Sequence, residues 1–218
     1  MFLTIQMVEV IRYRVLLTAT YLITIPLIGY VRAWAFTKVG DSTPEQYGFL
    51  TVNPMVHISF LWLILLQFFG IGFGALIPID AQQIWGPHRF GKLLFAYFSD
   101  AVASIFIALV ALIFAVAFYG PDLFDLMGDV GSSLFLVMGR FLGVLIIFNV
   151  AMASFNIISN GFNLCFAYFY ADHTHDTEHA ELVRFVGVVV ILIFAFGAIN
   201  NGIFMFVRFL AHLIGRLI

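Results

Sequence analysis

The residues best suited to chemistry in this sequence are a few ionisable side chains within or beside long apolar runs. Asp100 is the sharpest example, because it adjoins Ser99 in a run that continues without another charge to Tyr119. A charged side chain within a membrane is costly, so it pairs with another group or marks a functional site. Since Lys92 is about two helical turns away, the sequence favours an interfacial or paired Asp100 over a functional one.

Histidines offer a second kind of chemistry, metal binding. The loop ADHTHDTEHAE carries His173, His175 and His179 with carboxylates between them, and imidazole and carboxylate groups are transition-metal ligands. Their spacing is not that of a recognised zinc site, so they are weak metal candidates in a loop that is more simply explained as solvated. His57 has no second ligand nearby in the sequence, and we expect it to be structural.

Apolar helices must hold these residues in place. The 218-residue chain is 63% hydrophobic and only 10% charged, whereas about 25% of a soluble domain is charged. This composition predicts an all-α, polytopic helical membrane protein with a single integral membrane domain, residues 1–218. The net charge of −2 gives no basic footprint for nucleic acid. The single Cys165 excludes an internal disulfide and a multi-cysteine metal site.

The apolar runs predict about five transmembrane helices, or six if the interrupted segment re-enters the membrane. The predicted spans are Val15–Val31, His57–Ile79, Leu93–Tyr119, Leu134–Ile158 with a polar interruption and a short helix to Tyr170, and Leu182–Leu210. The loop with Asp122, Asp125 and Asp129 has no basic residue, so we expect it to be extracytoplasmic.

Turn-forming and polar residues cluster at both ends of the second predicted span. Glycine and proline at this density indicate broken or closely approached backbone, which in a membrane must line a cavity or lie within protein. We expect these residues to shape a groove between spans one and two: Asn53, Pro54, His57, Gly72, Gly74, Pro78 and Asp80. Asn156 and Asn160 are expected to make hydrogen bonds from span four to the last span.

This stretch resembles the site-2 protease family of intramembrane zinc metalloproteases, particularly its short bacterial members. The family's patterns GD-x-T, GRLTLNP-x-x-HIDPLG and FGWAKPVPVNP-NP are similar to three runs of this chain. Those runs are GDST at residues 40–43, GFLTVNPMVHI at residues 48–58, and IGFGALIPID at residues 71–80 followed by GPHRFG at residues 86–91.

The resemblance implies a site-2-protease-like core, but the zinc-binding residues are missing. The family holds zinc with His-Glu-x-x-His on a helix and with a third ligand, an Asp in a proline-rich segment. At the family's spacing, the first motif falls on Ile28, Gly29 and Arg32, and the third ligand falls on Leu164. The resemblance therefore implies no zinc, no cofactor and no catalytic residue.

We interpret the chain as a catalytically silent relative, a scaffold or accessory subunit of a larger membrane complex rather than an enzyme. Its expected partners are other integral membrane proteins and the lipid bilayer, in a bacterial-type cytoplasmic membrane. Two alternatives stay open. One is a divergent metalloprotease that uses His57, Asp100 or the loop histidines; the other is a small transporter or channel, motivated by Asp100, Arg140 and the Asn-rich spans.

Overall fold

Three long helices form the frame of the fold. The computed structural model describes residues 2–70, 72–120, 134–169 and 205–216. Helix α1 covers Phe2–Val39, α5 covers Arg89–Tyr119 and α6 covers Leu134–Phe169. In the described part of the chain, these three helices are long and apolar enough to cross a membrane. Each extends beyond the predicted span, because polar residues near its ends continue the helix rather than end it.

Shorter elements connect α1 to α5. They are α2 (Thr43–Gln46), α3 (Pro54–His57), α4 (Phe60–Phe69) and a 3₁₀ turn (Ala81–Gln83), and a final helix, α7, covers Met205–Gly215. Two of the shorter elements begin with a side-chain cap. The Asn53 side chain accepts a hydrogen bond from Met55 N at 3.1 Å, and the Asp80 side chain accepts one from Gln82 N at 3.0 Å.

The prediction of one membrane-crossing helix over His57–Ile79 is wrong. Helix α4 stops at Phe69 because Gly70 adopts the left-handed conformation, with φ of 72°, and donates its N–H to the Leu66 carbonyl. Ten helical residues span about 15 Å, half the hydrocarbon thickness of a bilayer. The chain then continues in extended form, and Gly74 forms an antiparallel bridge with Ile58.

Residues 58–80, which we call the hairpin, leave one end of α1 and return to it. His57, directly before the hairpin, packs on Gly29 of α1. The far end of the hairpin contacts α1 nearer its amino terminus, where Arg14 Nη1 donates to Leu66 O at 3.2 Å and Gln67 Nε2 donates to Thr18 Oγ1 at 2.8 Å. On the returning segment, Tyr21 Oη donates to Phe73 O at 2.7 Å and Asp80 N donates to Asp41 Oδ2 at 2.8 Å. The hairpin therefore begins beside Gly29 and ends beside the carboxyl-terminal end of α1.

Two glycines let the returning segment lie directly on α1. A Cβ at Gly72 would lie 2.9 Å from the Tyr21 ring. A Cβ at Gly74 would lie 2.9 Å from a methyl group of Ile25 and 3.1 Å from the His57 carbonyl. Since real Cβ atoms do not approach this closely, both positions require glycine for the hairpin to keep its place.

The predicted interruption after Ile158 is also wrong, because α6 continues through Asn160 and Gly161 to Phe169. Asparagine weakens a helix by competing for the backbone of its own segment. Here the Asn160 amide instead donates to Asp100 of α5 at 2.8 Å, so the α6 backbone keeps its helical path.

Much of the last predicted span, Leu182–Leu210, lies outside the described residues, as do the Asp122–Asp129 loop and the predicted asparagine contacts of that span. The described end of the chain is α7, which continues past Leu210 to Gly215. Its Val207 and Ala211 are buried against α5 and α6.

Small residues bring α5 and α6 together. Ala111 and Ala115 of α5 pack with Ile146 of α6, and alanine at such an interface allows close approach of two helices. Helix α1 packs on α6 through a second cluster that contains Tyr21 and Phe148, whose rings meet edge to face at 6.5 Å. These contacts align the three long helices and fix the depth of the polar residues described next.

Candidate functional site

One residue from each long helix meets at a buried polar cluster. Arg32 of α1 forms an ion pair with Asp100 of α5, from its Nη1 to Oδ2. The same Nη1 donates to Asn160 Oδ1 of α6 at 3.0 Å, and Asn160 Nδ2 donates to Asp100 Oδ1 at 2.8 Å. The three side chains close a ring of hydrogen bonds, which we call the Arg32 cluster.

Burial makes the Arg32 cluster energetically important. The side chains of Arg32 and Asp100 are 19% and 4% exposed. In such surroundings a charge left without its partner costs far more than it does at a surface. The Asp100 carboxylate also accepts a hydrogen bond from Ala101 N at 2.6 Å, so both of its oxygens are used.

Aromatic rings complete the environment of the guanidinium. Its carbon lies 5.8 Å from the centre of the Phe36 ring and 5.9 Å from the centre of the Tyr97 ring. Those two rings pack edge to face at 5.1 Å. Cation–π contact stabilises a desolvated cation, so the two rings offset part of the cost of burying the Arg32 guanidinium.

The positions that the sequence resemblance aligns with zinc ligands carry groups that cannot bind zinc. Ile28 and Leu164 are buried apolar residues, each 6% exposed. The position aligned with the second histidine of the first motif holds Arg32, whose guanidinium is a permanent cation without a lone pair to donate. Gly29 stands in place of the general base. The residues present therefore do not fit a zinc ion.

His57 packs on this part of α1 instead of facing a metal. Its ring lies against Gly29, where a Cβ would be 2.3 Å from His57 Nδ1. Its Nε2 is 2.6 Å from the Thr51 carbonyl, and because a carbonyl only accepts, Nε2 carries the donated proton. The His57 carbonyl accepts from Ala75 N at 2.6 Å. His57 thus joins the loop, α1 and the hairpin.

Among the described residues, no group of three or more His, Cys, Asp and Glu side chains could hold a metal ion. Asp80 of the sequence-predicted set lies in a separate polar network, and Asn156 is half-buried on α6. His173, His175 and His179 lie outside the described residues. Pro78 is half-buried in the extended part of the hairpin.

Asp41 organises the loop end of the structure, a role that sequence reasoning missed. It is fully buried, and its two carboxylate oxygens accept from Asp80 N at 2.8 Å and from Thr43 N at 2.9 Å. Gln83 adds bonds to Thr43 Oγ1 at 3.0 Å and to Asp80 Oδ2 at 3.2 Å. The available signal was the position of Asp41 directly after Gly40, where a helix ends and a turn begins.

A second ion pair links the other ends of α1 and α6. Arg140 Nη1 lies 2.9 Å from Glu9 Oε2, and Arg12 Nη1 lies 2.9 Å from Glu9 Oε1. We call these three residues the Glu9 junction. The sequence analysis named Arg140 only as a motive for the transporter alternative, and no local pattern pointed to Glu9.

All three helices carry a long uncharged segment that begins or ends at a residue of the Arg32 cluster, and together these segments form an uncharged band. Seventeen residues separate Arg14 from Arg32 in α1, and nineteen separate Arg140 from Asn160 in α6. In α5, nineteen uncharged residues follow Asp100 up to Gly120. At the helical rise these segments are about 26–29 Å long, which matches the hydrocarbon core of a bilayer.

The fold and this band define an all-helical chain that is compatible with an integral membrane protein. No known protein family, no curated protein and no solved structure shows significant similarity to the chain. The function must therefore be inferred from the geometry of the described residues.

Proposed function

We propose that this chain is a catalytically silent, site-2-protease-like integral membrane protein that serves as a scaffold or accessory subunit of a larger membrane complex. The observation that carries the proposal is the Arg32 cluster. It joins three helices, it includes Arg32, which the resemblance aligns with a zinc ligand, and its charges are balanced within the chain.

The chemistry of the cluster supports a structural role. Hydrolysis at a zinc site needs three ligands that donate lone pairs and an open position for water. A guanidinium at one of those positions repels a divalent cation. The Asp100 carboxylate, which could replace a lost ligand, is held by Arg32 and Asn160.

The proposed membrane arrangement has four crossing helices and the hairpin. Helices α1, α5 and α6 supply three crossings, and the last span expected from the sequence, Leu182–Leu210, would supply the fourth. The hairpin enters the membrane and returns to the same side without crossing it. Of the five apolar segments that the sequence predicts, four would therefore cross the membrane and one would re-enter. As in the short bacterial proteins that the sequence resembles, we place this arrangement in a bacterial-type cytoplasmic membrane.

The outer side of the hairpin is the proposed docking surface for a partner. Phe60 and Phe68 are each 75% exposed, and Leu76 is 93% exposed. Within the described part of the chain, the backbones of Leu76, Ile77 and Ile79 form no hydrogen bonds. Extended backbone at membrane depth needs protein or water to satisfy it, which favours coverage by a segment of another membrane protein.

The alternative functions gain no comparable support from the described residues. A divergent metalloprotease would need His57 or Asp100 as ligands, but the first is bonded to Thr51 and the second to Arg32. A transporter mechanism through Asp100 would require an unpaired or water-facing carboxylate, and this carboxylate is 4% exposed.

Copurification from native membranes at native expression levels tests the proposal. We expect stoichiometric membrane proteins to accompany the tagged chain in mild detergent. Substitution of the exposed Leu76 by Lys should reduce their recovery while the chain stays folded, and Phe106→Lys on the exposed face of α5 is the matched control. A monodisperse monomer without partners would contradict the proposal.

A further inference from the structure

The Glu9 junction has an unequal balance of charge, unlike the Arg32 cluster. Arg12 and Arg140 share the single carboxylate of Glu9. Two guanidinium groups therefore accompany one carboxylate, which leaves a net charge of +1 on the three ionisable side chains of the junction.

Arg140 also has a hydrogen-bond donor that is not satisfied. The residue is 9% exposed, and its Nε is buried without a partner among the described residues. A guanidinium has five N–H donors, and an unpaired N–H of a charged group is costly in low-dielectric surroundings. An anion at the junction would supply the missing acceptor and the missing negative charge.

The junction is open enough to admit such a ligand from the surroundings. The side chains of Arg12 and Glu9 are 39% and 30% exposed, and the neighbouring Tyr13 is 48% exposed. The junction lies at the edge of the uncharged band, the depth at which lipid headgroups meet the hydrocarbon core. Tyrosine is enriched at that depth, where its ring is apolar and its hydroxyl is hydrated.

We propose that the Glu9 junction binds the phosphate group of an anionic phospholipid. Arg12 and Arg140 would donate from their planar forks to phosphate oxygens. Basic pockets between transmembrane helices bind lipid headgroups by this chemistry. The net positive charge selects an anionic lipid over a zwitterionic one. This inference rests on the membrane setting of the proposed function.

The Arg32 cluster, at the other end of the uncharged band, does not offer a second site of this kind. In the Arg32 cluster, one cation faces one carboxylate, and Asn160 bonds to both partners. An anion placed there would compete with a carboxylate that already satisfies the guanidinium. The lipid site is thus assigned to the Glu9 junction, where, among the described residues, two arginines share one carboxylate.

Titration of the purified full chain with phosphatidylglycerol or phosphatidylcholine in mixed micelles, read by native mass spectrometry, tests the site. We expect selective binding of phosphatidylglycerol. Arg12→Gln should weaken it about fivefold, the loss expected for one basic residue near a headgroup. Glu9→Gln should strengthen it, because it removes the competing carboxylate. Lys38→Gln, an exposed cation at the other end of α1, should leave it unchanged.

Three results would overturn the proposal: equal binding of both lipids, an Arg12→Gln response equal to that of Lys38→Gln, or full competition by inorganic phosphate, which would indicate a general anion site. Unfolding midpoints measured without lipid verify that each variant folds. If Glu9→Gln does not fold, the comparison of Arg12→Gln with Lys38→Gln decides the test. Loss of the lipid response with an intact partner complex overturns this inference alone. Missing partners with an intact lipid response overturn only the accessory-subunit proposal.

Discussion

The imidazole of His57 occupies the space that a side chain at position 29 would need. A Cβ on Gly29 would lie 2.3 Å from Nδ1 and 2.9 Å from Cε1 of that ring. His57 is 1% exposed and is also tied to Thr51 and Ala75, so the ring has little freedom to retreat. The loop before the hairpin can therefore pack directly on α1 because residue 29 has no side chain.

Gly29→Ala should lower the unfolding midpoint, because His57 must move and lose its bond to the Thr51 carbonyl. Gly91→Ala is the matched control: its Cβ meets nothing within 4 Å, and replacing a helical glycine stabilises by about 0.5–1 kcal/mol. The double variant Gly29→Ala with His57→Ala should lose less than the two single effects added together. Equal midpoints for Gly29→Ala and Gly91→Ala would contradict the close contact.

The Arg32 cluster should behave as a coupled unit. Removing one partner of a buried ion pair costs about 3–5 kcal/mol, since the other charge stays buried. We expect such losses for Asp100→Leu and for Arg32→Met separately, measured by unfolding in detergent. The double variant should be more stable than either single variant. Additive losses would mean that Arg32 and Asp100 do not pair.

The hairpin should depend on its glycines where they contact α1. Gly72→Ala places a methyl group 2.9 Å from the Tyr21 ring, so we expect a lower unfolding midpoint and weaker recovery of any partner. Gly161→Ala is the control, because its Cβ would have no neighbour within 4 Å. A Gly72→Ala protein as stable as Gly161→Ala would show that the returning segment does not lie on α1.

The purified chain should contain no stoichiometric zinc. The physical reason is the permanent positive charge of Arg32 at a position that the sequence resemblance aligns with a zinc ligand, with the apolar Ile28 and Leu164 at the other two. Elemental analysis measures the metal, and a chelator should leave the unfolding midpoint unchanged. About one zinc per chain that survives chelator washing would refute the interpretation.

Cysteine labelling should place the two ends of the uncharged band on opposite sides of the membrane. The single Cys165 is exposed and lies beyond Asn160 in α6. A membrane-impermeant maleimide should label Cys165 of the unmodified chain from one side of the membrane. In a Cys165→Ser background, Tyr47→Cys should be labelled from that same side and Tyr13→Cys from the opposite side. Labelling of positions 13 and 47 from one side would contradict the band.

Local sequence predicted the long helices well and the contacts between them poorly. Uncharged runs are local signals, so α1, α5 and α6 were expected near their observed positions. Arg32 and Asp100 are 68 residues apart, and Glu9 and Arg140 are 131 residues apart, so no spacing rule connects them. Pairing across such distances depends on how the helices pack.

The hairpin illustrates a different limit. The apolar run from Ile58 to Ile79 is long enough to cross a bilayer, and its length favoured a span. The glycines signalled broken backbone, but only the left-handed Gly70 and the contacts on Tyr21 and Ile25 turn the chain back. Similarly, Asn160 indicated an interruption of α6, while its actual partner lies on α5.

The Arg32 cluster also limits which single substitutions this interior tolerates. Losing Arg32 alone leaves the Asp100 carboxylate buried without its cation. Replacing the buried Ile28 or Leu164 by a polar residue puts a polar group into a packed interior beside a guanidinium. Each such step passes through a less stable protein, so we expect these positions to change together rather than singly.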